Sequence, residues 1–232
     1  KEEKHIVTLE DPIEYNIAGL NQSQINPEIG YTFANGLRTI LRQDPNIIML
    51  GEIRDSETAS LSIHAALTGH LVLSTLHTNT AIGAIPRMID MGVESFLLAS
   101  SLRMVIAQRL VRKICENCKE ESPVSDLIKS KIAEEIKDIP PEEIQKYGLE
   151  PGSELHFFKG KGCEKCEKTG LKGRIAVYEV VPVTNPMKDI IIEKMGNESL
   201  LTQERNKERV MTMKQDGILK ILKGITTIEE VE

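Results

Sequence analysis

The chain has 232 residues, a net charge of −6, 40% hydrophobic and 28% charged residues, and only 3% aromatics with no Trp, so its core must be aliphatic. That size fits one large domain or a core with appendages, and the acidic balance argues against a nucleic-acid partner, which usually meets a clustered basic face. No apolar run approaches the roughly 18 residues of a membrane helix. The longest, Ile47–Leu50 and Leu71–Leu76, are short and bounded by polar residues.

In chain order, Lys1-Glu2-Glu3-Lys4-His5 opens without an initiator Met or a signal peptide and reads as an excerpt from something longer. His5–Glu10 is a short β-branched strand, broken by Asp11-Pro12. Thr32–Gln43 reads as a helix, with Thr32 as its N-cap and Asp44-Pro45 stopping it. Ile47–Leu50 is a continuous apolar run suited to a strand buried on both faces. Asp55 or Ser56 caps a helix through Leu67, Gly69 takes the left-handed position after it, and Leu71–Leu76 is the next strand. A helix is expected from Thr78 to Met91, kinked at Pro86. Ser95–Val111 carries the longest amphipathic pattern of this half. Strands alternating with helices of this length point to an α/β fold with a parallel sheet.

Composition shifts at Lys113, and residues 114–175 are rich in Lys, Glu, Pro and Gly, with a helix at Ser125–Lys137 and a break at Pro140-Pro141. From Pro186 to Glu232 the chain looks helical, punctuated by Gly196, Gly217 and Gly224. The expected division is therefore an α/β core portion at 1–112, a cysteine-bearing subdomain at 113–178 and a helical subdomain at 179–232.

All four cysteines fall in two C-x-x-C pairs, Cys115/Cys118 and Cys163/Cys166. Four thiolates close the coordination of one tetrahedral Zn²⁺, a structural arrangement with no open position. Disulfides or a redox pair are the alternatives, but a secreted disulfide scaffold is shorter and denser in Cys. The long spacer, Lys119–Gly162, requires an inserted helix.

Polar groups suited to metal and phosphate chemistry follow three strands: Glu10, Asp11 and Glu14; Gly51 and Glu52; Thr75 and His77. In open α/β sheets, ligands bind outside the carboxyl ends of the strands. A carboxylate there can hold Mg²⁺ through water or polarise an attacking water. For His70 and His77 two readings stand: local hydrogen bonding, with His70 closing the preceding helix, or donors that sense a terminal phosphate.

Together these segments resemble the type II secretion and type IV pilus ATPases. Glu10-Asp11-Pro12-Ile13-Glu14-Tyr15 is similar to their Asp box, and Leu41–Pro45 with Ile47–Asp55 to their Walker B segment. Thr68–Asn79 is similar to their His box, and Ala107–Arg112 followed by Cys115 to the junction with their tetracysteine module. The resemblance covers essentially the whole chain. It implies a RecA-like fold assembling into a homo-hexamer, and hydrolysis of ATP with Mg²⁺ in the cytoplasm, peripheral to the inner membrane. Glu52 would lie near the metal and attacking water, Glu10 or Glu14 would be the second acid, and His70 and His77 would report phosphate state. Arg109 would approach a nucleotide or a neighbouring subunit, while Arg38, Arg42 and Arg103 read equally well as solvated or ion-paired. The cysteine module would dock the inner-membrane platform protein, and its presence favours the assembly or secretion branch over retraction motors.

One departure is large: the 232 residues contain no G-x-x-x-x-G-K-[ST] phosphate loop, and Gly160-x-Gly162 has the wrong spacing to replace it. The resemblance thus implies the C-terminal part of such an ATPase, inactive by itself. A non-enzymatic, zinc-bearing docking module is the competing reading.

Overall fold

The computed structural model describes residues 4–150, 152 and 154–231. The chain forms two compact units, Lys1–Val105 with Pro182–Glu204, and Ile106–Val181 with Arg205–Glu232.

The first unit is built on a four-stranded sheet of β1 (Ile6–Glu10), β2 (Asn21–Gln24), β3 (Ile47–Leu50) and β4 (Leu71–Ser74), in the order β2-β1-β3-β4. Every pairing is parallel, with Val7 opposite Ile48 and Ile48 opposite Val72. All four strands therefore end at the same edge. Alternation puts Val7, Leu9, Ile48 and Leu50 on one buried face. Helix α1 (Phe33–Ile40) lies on that face, where a Cβ on Gly36 would sit 2.9 Å from Leu9 Cδ1. The expectation that β3 is buried on both faces is corrected: Ile47 and Met49, on its other face, are half-buried. At the sheet margin β4 exposes Leu71 and Leu73.

Local chemistry explains the boundaries. Thr32 accepts the Asn35 N–H and caps α1, while Asp55 accepts from Thr58 N at 2.7 Å and caps α2 (Ser56–Leu67). The helix expected from Thr78 begins only at α3 (Ala84–Asp90). Pro86 then falls in its first turn, where the missing N–H has no partner to lose, so it need not kink the helix. The Ser95–Val111 pattern divides into α4 (Ser95–Ser101) and strand β5 (Met104–Ile114). Its second half is drawn into pairing with β8 (Leu171–Pro182), a long-range partner that local periodicity does not reveal. Helix α7 (Asn185–Glu193) packs on α4 through buried Met187 and Ile191, and α8 (Glu198–Lys207) follows it.

In the second unit, α9 (Met213–Leu222) is the central helix. Its Ile218, Ile221 and Leu222 pack with Phe157 and with Ile132 of α5 (Asp126–Ile136). Leu219 packs with Ile139 and with Ile144 of α6 (Pro141–Lys146). Gly217, expected as punctuation, lies inside α9 because Val231 abuts it: a Cβ there would meet Val231 Cγ1 at 2.5 Å. Strands β6 (Lys119–Glu121) and β7 (Phe158–Gly160) form an antiparallel hairpin beside the cysteines. Among the described residues, no helix is long and apolar enough to cross a membrane.

Candidate functional site

At the carboxyl edge of the sheet, the segments following β1, β3 and β4 are stitched together by the backbone. Gly51 N donates to Leu9 O at 2.7 Å, Ile53 N donates to Thr75 O at 3.0 Å, and Thr75 Oγ1 donates to Gly51 O at 2.6 Å. Gly51 also passes so near the end of β1 that a Cβ would lie 3.5 Å from Glu10 Cα. These contacts bring Gly51, Thr75 and Glu10 into one cluster.

Glu52 is the buried acid of that cluster. Its Oε2 is ion-paired with Arg54, 2.6 Å from Nε, and accepts from His77 Nε2 at 2.9 Å. Burial works to raise the carboxyl pKa, but the hydrogen bonds and charges of Arg54 and His77 outweigh it and hold the group below its ordinary value. The Glu52 carboxylate is thus ionised, oriented and shielded, a form suited to acting on water or a hydrated cation.

The remaining expected residues are distributed around this core. Glu10 Oε1 accepts from Thr8 Oγ1 and, at 2.9 Å, from Gln22 Nε2 of β2. Asp11 and Glu14 are exposed in the loop that follows. His70 lies at the opposite end of β4, where its Nδ1 is 2.9 Å from Ala65 O and closes the end of α2; the fold does not bring it to Glu52. Arg109 is exposed on β5 within the second unit. Arg38 pairs with Glu57 on the α1–α2 surface. Arg54, given no role from sequence, is paired with Glu52.

The four cysteines converge in the second unit, all their sulfurs lying within 4.8 Å of one another. Sγ separations are 3.9 Å for Cys115–Cys163, 3.8 Å for Cys118–Cys166 and 3.7 Å for Cys163–Cys166. Thiolates around one tetrahedral zinc at about 2.3 Å are about 3.8 Å apart, whereas a disulfide needs about 2.05 Å. The donor set and spacing fit zinc. Each pair forms a tight turn, with Cys118 N donating to Cys115 O and Cys166 N to Cys163 O.

The turns are packed backbone to backbone: a Cβ on Gly160 would be 2.1 Å from Gly170 O, so no larger residue fits. The N–H groups of Cys163 and Gly170 point at Cys166 Sγ, and they bring its pKa down to about 6. Burial pushes Cys118 up to about 12. Metal-free, the cluster would hold mixed thiol and thiolate; a bound dication would deprotonate all four.

A parallel α/β sheet with an acid–histidine cluster at its carboxyl edge, joined in sequence to a four-cysteine module, defines the class. The chain belongs to the family described as type II/IV secretion system protein, which matches residues 1–232. Type II secretion system protein E of Aeromonas hydrophila is 44% identical over 229 residues, 99% of this chain and 42% of that protein. Type IV pilus assembly ATPase PilB of Thermus thermophilus is 46% identical over 231 residues, 99% of this chain and 24% of that protein. Among solved structures, the pilus retraction motor PilT with bound ADP superposes with a TM-score of 0.64 at 28% identity, covering 98% of this chain and 51% of that one. The chain therefore spans less than half the length of these two sequence relatives.

Proposed function

We propose that this chain is the acid-, sensor- and metal-bearing part of an ATP-driven motor subunit of type II secretion or type IV pilus assembly. The observation that carries the reading is the Glu52 carboxylate, buried at the end of the third strand and held through one oxygen by His77 and Arg54. Relatives named as secretion proteins and pilus ATPases support it. The phosphate-binding loop, absent from these 232 residues, is proposed to lie elsewhere in the longer protein.

In this reading Glu52 orients and deprotonates the attacking water, and Glu10 or Glu14 is the second acid. Asp11, Gly51 and Thr75 shape the nucleotide pocket. Glu52 would help to hold magnesium, which would supply charge neutralisation at the transferred phosphate. His77 links Glu52 to the segment after β4 and so couples phosphate state to that loop. Arg109 serves a nucleotide or a neighbouring subunit of a homo-hexamer.

Cys115, Cys118, Cys163 and Cys166 hold a structural zinc. We assign residues 1–112 to the ATPase core, 113–178 to the zinc subdomain that docks an inner-membrane platform protein, and 179–232 to the helical subdomain. The motor works in the cytoplasm at the inner membrane and takes no nucleic acid.

The test is turnover of the full-length protein. Magnesium-dependent ATP hydrolysis, with a hexamer on light scattering in the presence of nucleotide, is expected. Absence of hydrolysis from a folded, zinc-loaded full-length protein would overturn the reading.

A further inference from the structure

Glu52 is held asymmetrically. Both basic side chains meet Oε2: Arg54 as an ion pair with Nε at 2.6 Å and His77 through Nε2 at 2.9 Å. The carboxylate side chain is only 11% exposed, whereas those of Arg54 and His77 are 67% and 78% exposed. Arg54 therefore reaches in from solvent, and its packing contributes little to the fold. Arg54 and Glu52 lie two residues apart in the segment between β3 and α2, so the contact is local in sequence.

An ion pair and a hydrogen bond on one oxygen restrict the rotation of the carboxylate and leave its second oxygen as the one to serve water. We infer that Arg54 is a positioning residue for Glu52, setting which carboxylate oxygen faces the reacting water. This rests on the proposed ATPase reading and deepens it. An arginine that gripped nucleotide would change binding, and one that only stabilised the fold would change the melting temperature. A positioning arginine changes the chemical step alone, because small misplacements of a catalytic group are costly in rate.

The experiment uses the full-length protein and compares wild type, Glu52→Gln, Arg54→Gln and Arg54→Lys in steady-state ATP turnover, with melting temperature followed in parallel. Arg54→Gln is expected to lower kcat by about tenfold or more, with KM for ATP and melting temperature unchanged. Arg54→Lys, which keeps a cationic donor, is expected to recover part of the loss. An Arg54→Gln enzyme with wild-type kcat, beside an inactive Glu52→Gln enzyme, overturns the role of Arg54 and leaves the ATPase reading standing. A raised KM at unchanged kcat, or a loss tracking the melting temperature without rescue by Lys, also overturns it. An inactive wild type overturns both.

Discussion

His77 Nε2 lies 2.9 Å from Glu52 Oε2, across 25 positions of sequence, joining the segment after β4 to the acid after β3. The contact requires a proton on Nε2, which fixes the ring's hydrogen-bonding role. Because His77 is largely exposed, its loss should leave the fold intact. His77→Ala in the full-length protein should lower turnover by about tenfold and barely move the melting temperature. Unchanged turnover would show that the His77–Glu52 bond has no part in the reaction.

The cysteine cluster makes a stoichiometric prediction. Elemental analysis should find one zinc per chain, with all four thiols protected from a thiol reagent until the metal is chelated. Chelation should lower the melting temperature of the second unit, since binding a structural metal is coupled to folding. No zinc, with four freely reacting thiols, would reject the module.

Inside the second unit, buried Asp216 accepts from Tyr147 Oη, Tyr178 N and Lys220 Nζ. The Lys220 ammonium also lies 5.5 Å from the centre of the Tyr178 ring. Removing one partner leaves a buried charge uncompensated, so Asp216→Ala should destabilise this unit by about 3–5 kcal/mol in denaturant unfolding. Replacing both, Asp216→Leu with Lys220→Met, should restore most of that. A single variant within about 0.5 kcal/mol of wild type would show that the network contributes nothing beyond surface-like effects.

Arg112 grips Glu230 with its backbone N–H and guanidinium, and that bond holds the Glu230 carboxyl below the ordinary 4.5. A depressed folded-state pKa gives stability that is present above the unfolded value and lost as pH falls through the folded one. The melting-temperature gap between wild type and Glu230→Gln should therefore be widest above pH 4.5 and close on acidification. A gap that widens toward acid would contradict the ion pair.

Local signals with a direct chemical cause were legible: Thr32 and Asp55 as caps, the apolar cores of β1, β3 and β4, and the paired cysteines. Strand β2 reads Asn-Gln-Ser-Gln and has no apolar pattern, because it pairs through backbone at the margin of the sheet. Strand β5 was not separated from the Ser95–Val111 amphipathic pattern because its partner β8 lies far away in sequence.

Arg54 lies within the Walker B-like segment, but motif spacing does not reveal its pairing with Glu52. For His70 the geometry favours the modest local reading, a bond to Ala65 O at the close of a helix.

The account turns on Glu52, and the most direct measurement pairs ATP turnover with nucleotide binding in the full-length protein carrying Glu52→Gln. The amide keeps the shape and can still accept from His77 and Arg54, but it cannot take a proton from water. Hydrolysis should be lost while ATP binding stays within about twofold of wild type. Turnover equal to wild type would contradict the role given to the buried acid at the end of β3.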